Sequence, residues 1–162
     1  MKNFIKISAV AMAIATIASS ANAASVSGTA NARVVTPIAI SQTKALEFGS
    51  FASSASSGTI TQAGTVTGGV TAVSGGATRS AGIFSVTGEA VSTPYTFTLP
   101  ATATLTSGAN TMTATLSLAS GTSSRTLNAS GADSVSANGS LAVSANQAAG
   151  TYAGTYTVTV NY

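Results

Sequence analysis

GTYAGTYTVTVNY, residues 150–162, is the stretch whose alternation decides the fold. Gly150 opens it. From there the even positions are Tyr152, Gly154, Tyr156, Val158, Val160 and Tyr162, while the odd ones are Thr, Ala or Asn. Successive side chains of a strand point to opposite faces, so the pattern predicts one continuous strand with an apolar, core-facing side and a polar side. Its β-branched and aromatic side chains suit a pleated, half-buried surface better than a helical turn.

At the other end, residues 1–23 read as a removable export signal. Lys2 and Lys6 precede an apolar run from Ile7 to Ala18, and Ala21-Asn22-Ala23 supplies a small-x-small site with cleavage expected after Ala23. The run is too short for a membrane span, which takes ~20 apolar residues. The chain is therefore expected to cross the inner membrane, pass through the periplasm and finish at the cell surface or outside the cell. What remains fits one domain, over residues 35–162, preceded by an extension over residues 24–34.

Beyond the signal the charges are Arg33, Lys44, Arg79 and Arg125 against Glu47, Glu89 and Asp133. No basic run survives to neutralise phosphates, so nucleic acid is not an expected partner. With no Cys the chain forms no disulfide, and burial and strand pairing must supply its stability. General acid–base work needs a group that titrates near working pH. With no His, no Cys and three scattered carboxylates, the sequence reads as that of a protein that is not an enzyme and takes no cofactor or metal. The pairs Gly68-Gly69 and Gly75-Gly76 lack the Lys-Ser/Thr of a phosphate loop and read as turn glycines.

Between the ends the chain reads as short strands throughout. Residues 24–34 alternate, with Val26, Gly28, Ala30, Ala32 and Val34 on one side, and strand character continues to Ile38 and Ile40. Pro37 has no amide to give a ladder, which places this part at a sheet edge or a crossover. Leu46, Phe48 and Phe51 are core candidates, with Gly49 bending the backbone among them. Residues 53–57 read as a loop and residues 58–76 as short Thr/Val strands between glycines. Residues 81–88 and 93–100 are expected central strands, burying Phe84 and Val86, and Tyr95, Phe97 and Leu99. Residues 111–118 follow, with Met112, Ala114, Leu116 and Leu118 in step. A polar loop region around Gly121 and Gly131 comes next, and then a penultimate strand over residues 140–145 with Leu141, Val143 and Ala145 inward. No helical period appears. The fold class is all-β, an antiparallel sandwich of roughly eight to ten short strands.

Several of these segments together carry a resemblance: Thr36-Pro37-Ile38, Leu46-x-Phe48-Gly49, Phe84-x-Val86-x-Gly88, Tyr95-x-Phe97-x-Leu99-Pro100, and the ending from Gly150 to Tyr162. In combination they resemble a secreted bacterial family known as domain of unknown function forty-four-oh-two. In layout and ending this family is similar to the subunits of chaperone-usher pili and to spore-coat-U-like proteins. The resemblance implies an immunoglobulin-like sandwich whose Gly-initiated last strand ends on an aromatic. It also implies partners: other copies of the chain or related subunits, a periplasmic chaperone and an outer-membrane usher.

The function expected on these grounds is a structural subunit of a fimbria-like surface fibre that polymerises by β-strand addition and acts in cell adhesion. Residues 24–34 would serve as the donor strand, entering a groove beside the last strand of a neighbour. Equally, residues 24–40 read as the first strand of a domain complete by itself. Two other functions stay open. A small outer-membrane β-barrel also ends on an aromatic strand, although it needs aromatic girdles that a chain without Trp and with few aromatics does not supply. A self-contained secreted binding module is the third.

Overall fold

The structure, a computed structural model, describes residues 23–162, and the export signal falls on residues outside these apart from Ala23. The chain divides into two units, residues up to Arg33 and residues from Val34 to Tyr162. The described part of the first carries no strand and its side chains are exposed.

Among the described residues all the strands lie in the second unit. In chain order they begin with β1 (Ala39–Lys44), β2 (Glu47–Phe48), β3 (Phe51–Ala52), β4 (Gly58–Thr61) and β5 (Val66–Gly68). Then come β6 (Thr71–Ala72), β7 (Arg79–Ser80), β8 (Gly82–Thr87), β9 (Pro94–Thr98) and β10 (Thr102–Ser107). The last four are β11 (Asn110–Leu118), β12 (Ser124–Thr126), β13 (Ala132–Val143) and β14 (Thr159–Asn161). No helix occurs among the described residues. The protein is all-β, antiparallel and sandwich-like.

A large curled sheet runs in the order β1-β8-β13-β11-β10. β13, of 12 residues, organises it. Its first half pairs with β8 through Val135 opposite Phe84, and its second half pairs with β4 through Leu141 opposite Ile60. β11 runs along the other side of that second half. β13 can serve both sets of neighbours because its inward residues keep step along its whole length: Val135, Ala137, Leu141 and Val143 are all buried. A smaller sheet, β12-β9-β14, faces part of the large one, and two ribbons, β2 with β7 and β3 with β6, border the rest.

Two apolar clusters result. Phe84, Val86, Val135 and Ala137 of the large sheet meet Tyr95 and Phe97 of the small one, with Leu127 beside them. The Phe84 and Phe97 rings lie 5.7 Å apart in a tilted pair. In the second cluster Met112, Ala114, Leu116, Leu141 and Val143 pack with Phe48, Ile60 and Val70. Each large, fully buried residue such as Phe97, Ile60 or Leu127 contributes about 1.5–3 kcal/mol by leaving water.

Several expectations hold. β8 and β9 are central, β1 is an edge strand just after Pro37, and Gly49 takes φ 72° where the chain bends between β2 and β3. Others are corrected. Residues 24–38 form no strand, so the chain does not open with a first strand at Ala24. The penultimate strand starts at Ala132, inside the region read as a polar loop, and ends at Val143, leaving Ala145 exposed. Polar side chains on the outer face of β13 hid its first half. β10 is a strand where no expectation had placed one, although Ala103 and Leu105 alternate with threonines.

Candidate functional site: a groove beside the C-terminal segment

Residues 150–162 do not make one continuous strand. Ala153 bridges to Thr106 of β10, with backbone N···O distances of 2.8 and 3.0 Å, and only Thr159–Asn161 pairs with β9 as β14. The segment therefore starts at the edge of the large sheet and crosses to the small one. Gly154 permits the crossing, since a Cβ there would collide with the carbonyl oxygen of Thr104. The expected alternation survives in burial: Tyr152, Tyr156, Val158 and Val160 are half-buried and the odd-numbered residues are exposed. Gly150 lies against the Ser107 side chain, and both Gly150 and Gly154 are exposed. Tyr162 departs from the expected core role, with 47% of its surface exposed.

A half-buried face means that this side of the sandwich is incompletely covered. Between residues 46–53 and residues 147–152 lies a groove of about 740 Å³. Phe48, Met112 and Leu141 floor it, and the half-buried Leu46, Phe51, Leu105 and Tyr152 line it. One end is closed by Gln147. Its side-chain amide donates to the Thr111 carbonyl at 3.3 Å and to the Tyr152 hydroxyl at 2.8 Å, and that hydroxyl donates to the Ala148 carbonyl at 2.8 Å. The Ser53 hydroxyl donates to the Gln147 carbonyl at 3.0 Å, and the Asn146 amide donates to the Ser54 carbonyl at 2.7 Å, so the two walls are tied there.

Tyr156 stands where the two apolar clusters meet and packs against both. Its ring lies 6.2 Å from that of Phe84, nearly perpendicular to it. The Tyr156 hydroxyl is buried without a hydrogen-bond partner, and burial pushes the phenol above its usual range.

The proposed donor residues Val26, Gly28, Ala30, Ala32 and Val34 belong to a stretch that pairs with nothing as a strand, and Val26 and Val34 are almost fully exposed.

Of the charged groups, Glu47 lies on the 46–53 wall of this groove, while Arg125 and Asp133 lie apart from it and have a structural role. Asp133 of β13 accepts from Arg125 of β12 in two-pronged fashion, Nε to Oδ2 at 2.7 Å and Nη2 to Oδ1 at 3.0 Å, and from the Tyr95 hydroxyl of β9 at 2.6 Å. The trio ties the small sheet to the large one. Burial pushes the Tyr95 phenol up to about 12, and its bond to the Asp133 carboxylate adds to the rise. Burial alone would raise the Asp133 carboxyl, but the bonds from Arg125, Tyr95 and the Ser134 amide outweigh it and hold the group below its usual range. Glu47 accepts from Thr78, and Glu89 accepts from the Thr36 amide. Among the described residues no three His, Cys, Asp or Glu side chains gather as metal ligands would.

The sequence pointed to the C-terminal wall of the groove and to Leu46, Phe48 and Phe51. It missed Leu105, whose alternation in β10 was the available signal, and the Gln147 closure, for which no local pattern exists.

An all-β sandwich with one side left open is thus the class that the fold and the groove define. Residues 38–162 match the family described as Domain of unknown function (DUF4402), and the chain belongs to that family. Comparison with curated proteins and with solved structures finds no match.

Proposed function

We propose that this chain is a structural subunit of a bacterial surface fibre, exported and non-enzymatic, that polymerises by β-strand addition. The observation that carries the reading is an open groove together with an alternating arm that forms no strand. The groove has an apolar floor, and on its 46–53 wall β2 and β3 each pair along one edge only, with β7 and β6. The arm, residues 24–34, sets Val26, Gly28, Ala30, Ala32 and Val34 on one side and polar residues on the other. An extended segment laid in such a groove can pair with the open edge of that wall and place alternate side chains on the floor. The small size of Gly28, Ala30 and Ala32 suits a shallow floor. The occupant is a second copy of the chain or a related subunit, with a chaperone or usher as a transient partner during export.

Support for the fibre over an outer-membrane barrel comes from the large sheet, whose outer strands β1 and β10 do not pair with each other. A barrel has to close that seam.

The test uses two neighbouring substitutions. Ala30→Asp puts a charge on the floor-facing side of the arm, where leaving it unpaired costs more than a Val contributes. Asn31→Asp puts the same charge on the outer side. Surface oligomer relative to total exported protein should fall at least tenfold for Ala30→Asp and stay within about twofold of wild type for Asn31→Asp. Equal behaviour of the two variants would contradict strand addition by this arm.

A further inference from the structure

The open side of the sandwich is wide at one end and pinched at the other. Around Leu46 and Tyr152 it holds the groove, whereas at the far end β1 and β14 approach until their Cα atoms lie within 8 Å. Neighbouring strands sit 4.7–4.9 Å apart, so a strand lodged between two others holds them about 9.5 Å apart. The pinched end cannot admit one. Ile38, Ile40, Val158 and Val160 lie along this half, each half-buried against the cluster around Phe97.

Tyr162 holds the pinch. Its hydroxyl donates to the Thr36 carbonyl at 2.8 Å and accepts from the Glu89 amide, while the Glu89 carboxylate accepts from the Thr36 amide at 2.8 Å. Three segments meet there: the approach to β1, the turn after β8 and the end of β14. Gly88 leaves the space, since a Cβ on it would collide with the Tyr162 hydroxyl. The tyrosine is nearly half exposed, so water can replace each bond at small net cost.

The lengths show why the pinch matters. Residues 46–53, the wall of the wide half, span at most about 25 Å even when fully extended. The arm over residues 24–34 spans about 33 Å as a strand. An arm that enters along its whole length must therefore pass between β1 and β14.

We propose that Tyr162 is a latch. In the free subunit it holds β14 against the start of β1 and keeps half of the groove shut, and the arm of a second copy displaces it on entry. This rests on the strand-addition reading above. The latch lowers the fraction of subunits that can accept a full-length arm, and so slows assembly of the free chain.

Tyr162→Phe removes the hydroxyl and keeps the ring. Gly88→Ala disturbs the same contact from the other side, so the pair guards against a folding defect peculiar to either. The full exported chain is compared with both variants, each with and without Ala30→Asp, by the rate of oligomer growth and by hydrogen exchange at the Glu89 amide. Both variants should exchange at Glu89 and grow oligomers about tenfold faster than wild type, from two lost bonds, and Ala30→Asp should abolish growth in every background. Unchanged or slower growth in both variants, with Ala30→Asp still blocking, would overturn the latch and leave strand addition standing. Growth that ignores Ala30→Asp in the wild-type background would overturn strand addition and the latch with it.

Discussion

Asp133, Tyr95 and Arg125 show how much of this domain rests on single side chains in a sequence with few charges. Folding binds Asp133's proton less readily than the unfolded chain does, because the carboxyl is held below its usual range. Its contribution is therefore full above about pH 4 and is lost as the pH falls through the folded value. Tyr95 has the opposite sign. With the phenol pushed up to about 12, its contribution is full below the unfolded value of about 10 and is lost as the pH rises between the two. Denaturation followed across pH should show a plateau with an acid and an alkaline limb. Asp133→Asn should flatten the acid limb and lower stability on the plateau by about 2 kcal/mol, and Tyr95→Phe should flatten the alkaline one. Limbs that persist unchanged in both variants would show that the trio does not couple the sheets. None of this was legible in the sequence, since Arg125 and Asp133 are drawn together by β12 and β13, both placed in a region that reads as polar loop.

The C-terminal segment teaches the element-scale lesson. Its alternation correctly gave the face that packs inward, because burial follows side-chain direction, which a period of two reports whether or not the backbone pairs. Continuity was not legible, because hydrogen-bond partners come from distant parts of the chain. Here Thr106 takes Ala153 and β9 takes Thr159–Asn161, leaving the residues between to cross from one sheet to the other. Gly154 marks the crossing. Gly154→Val should destabilise the domain by about 1–3 kcal/mol, since its side chain meets the Thr104 backbone, which cannot rotate away. Thr155→Val, one residue on and exposed, should change little. Equal melting midpoints for the two variants would contradict the close approach of this segment to β10. β13 gives the converse case. Its buried half-period was present in the sequence, but the Asp, Ser and Asn residues that share its first half looked like a loop until β8 was there to pair with them.

For the whole molecule, the all-β class and most core residues followed from alternation, because each strand buries one face wherever it sits. The groove did not, because it arises from what the two sheets fail to cover: the small sheet reaches only part of the large one, and the arm that reads as a strand joins neither sheet. Strand addition joins these two facts, and the absence of Cys lets it be measured directly. Single cysteines placed in turn at each position from 26 to 34 are mixed with a separate chain carrying Leu105→Cys, and disulfide heterodimers are counted under mild oxidation. Strand addition predicts cross-links at even arm positions near the floor and few at the odd positions between them, whatever the register. Cross-links equally frequent at even and odd positions, or none at any, would contradict it.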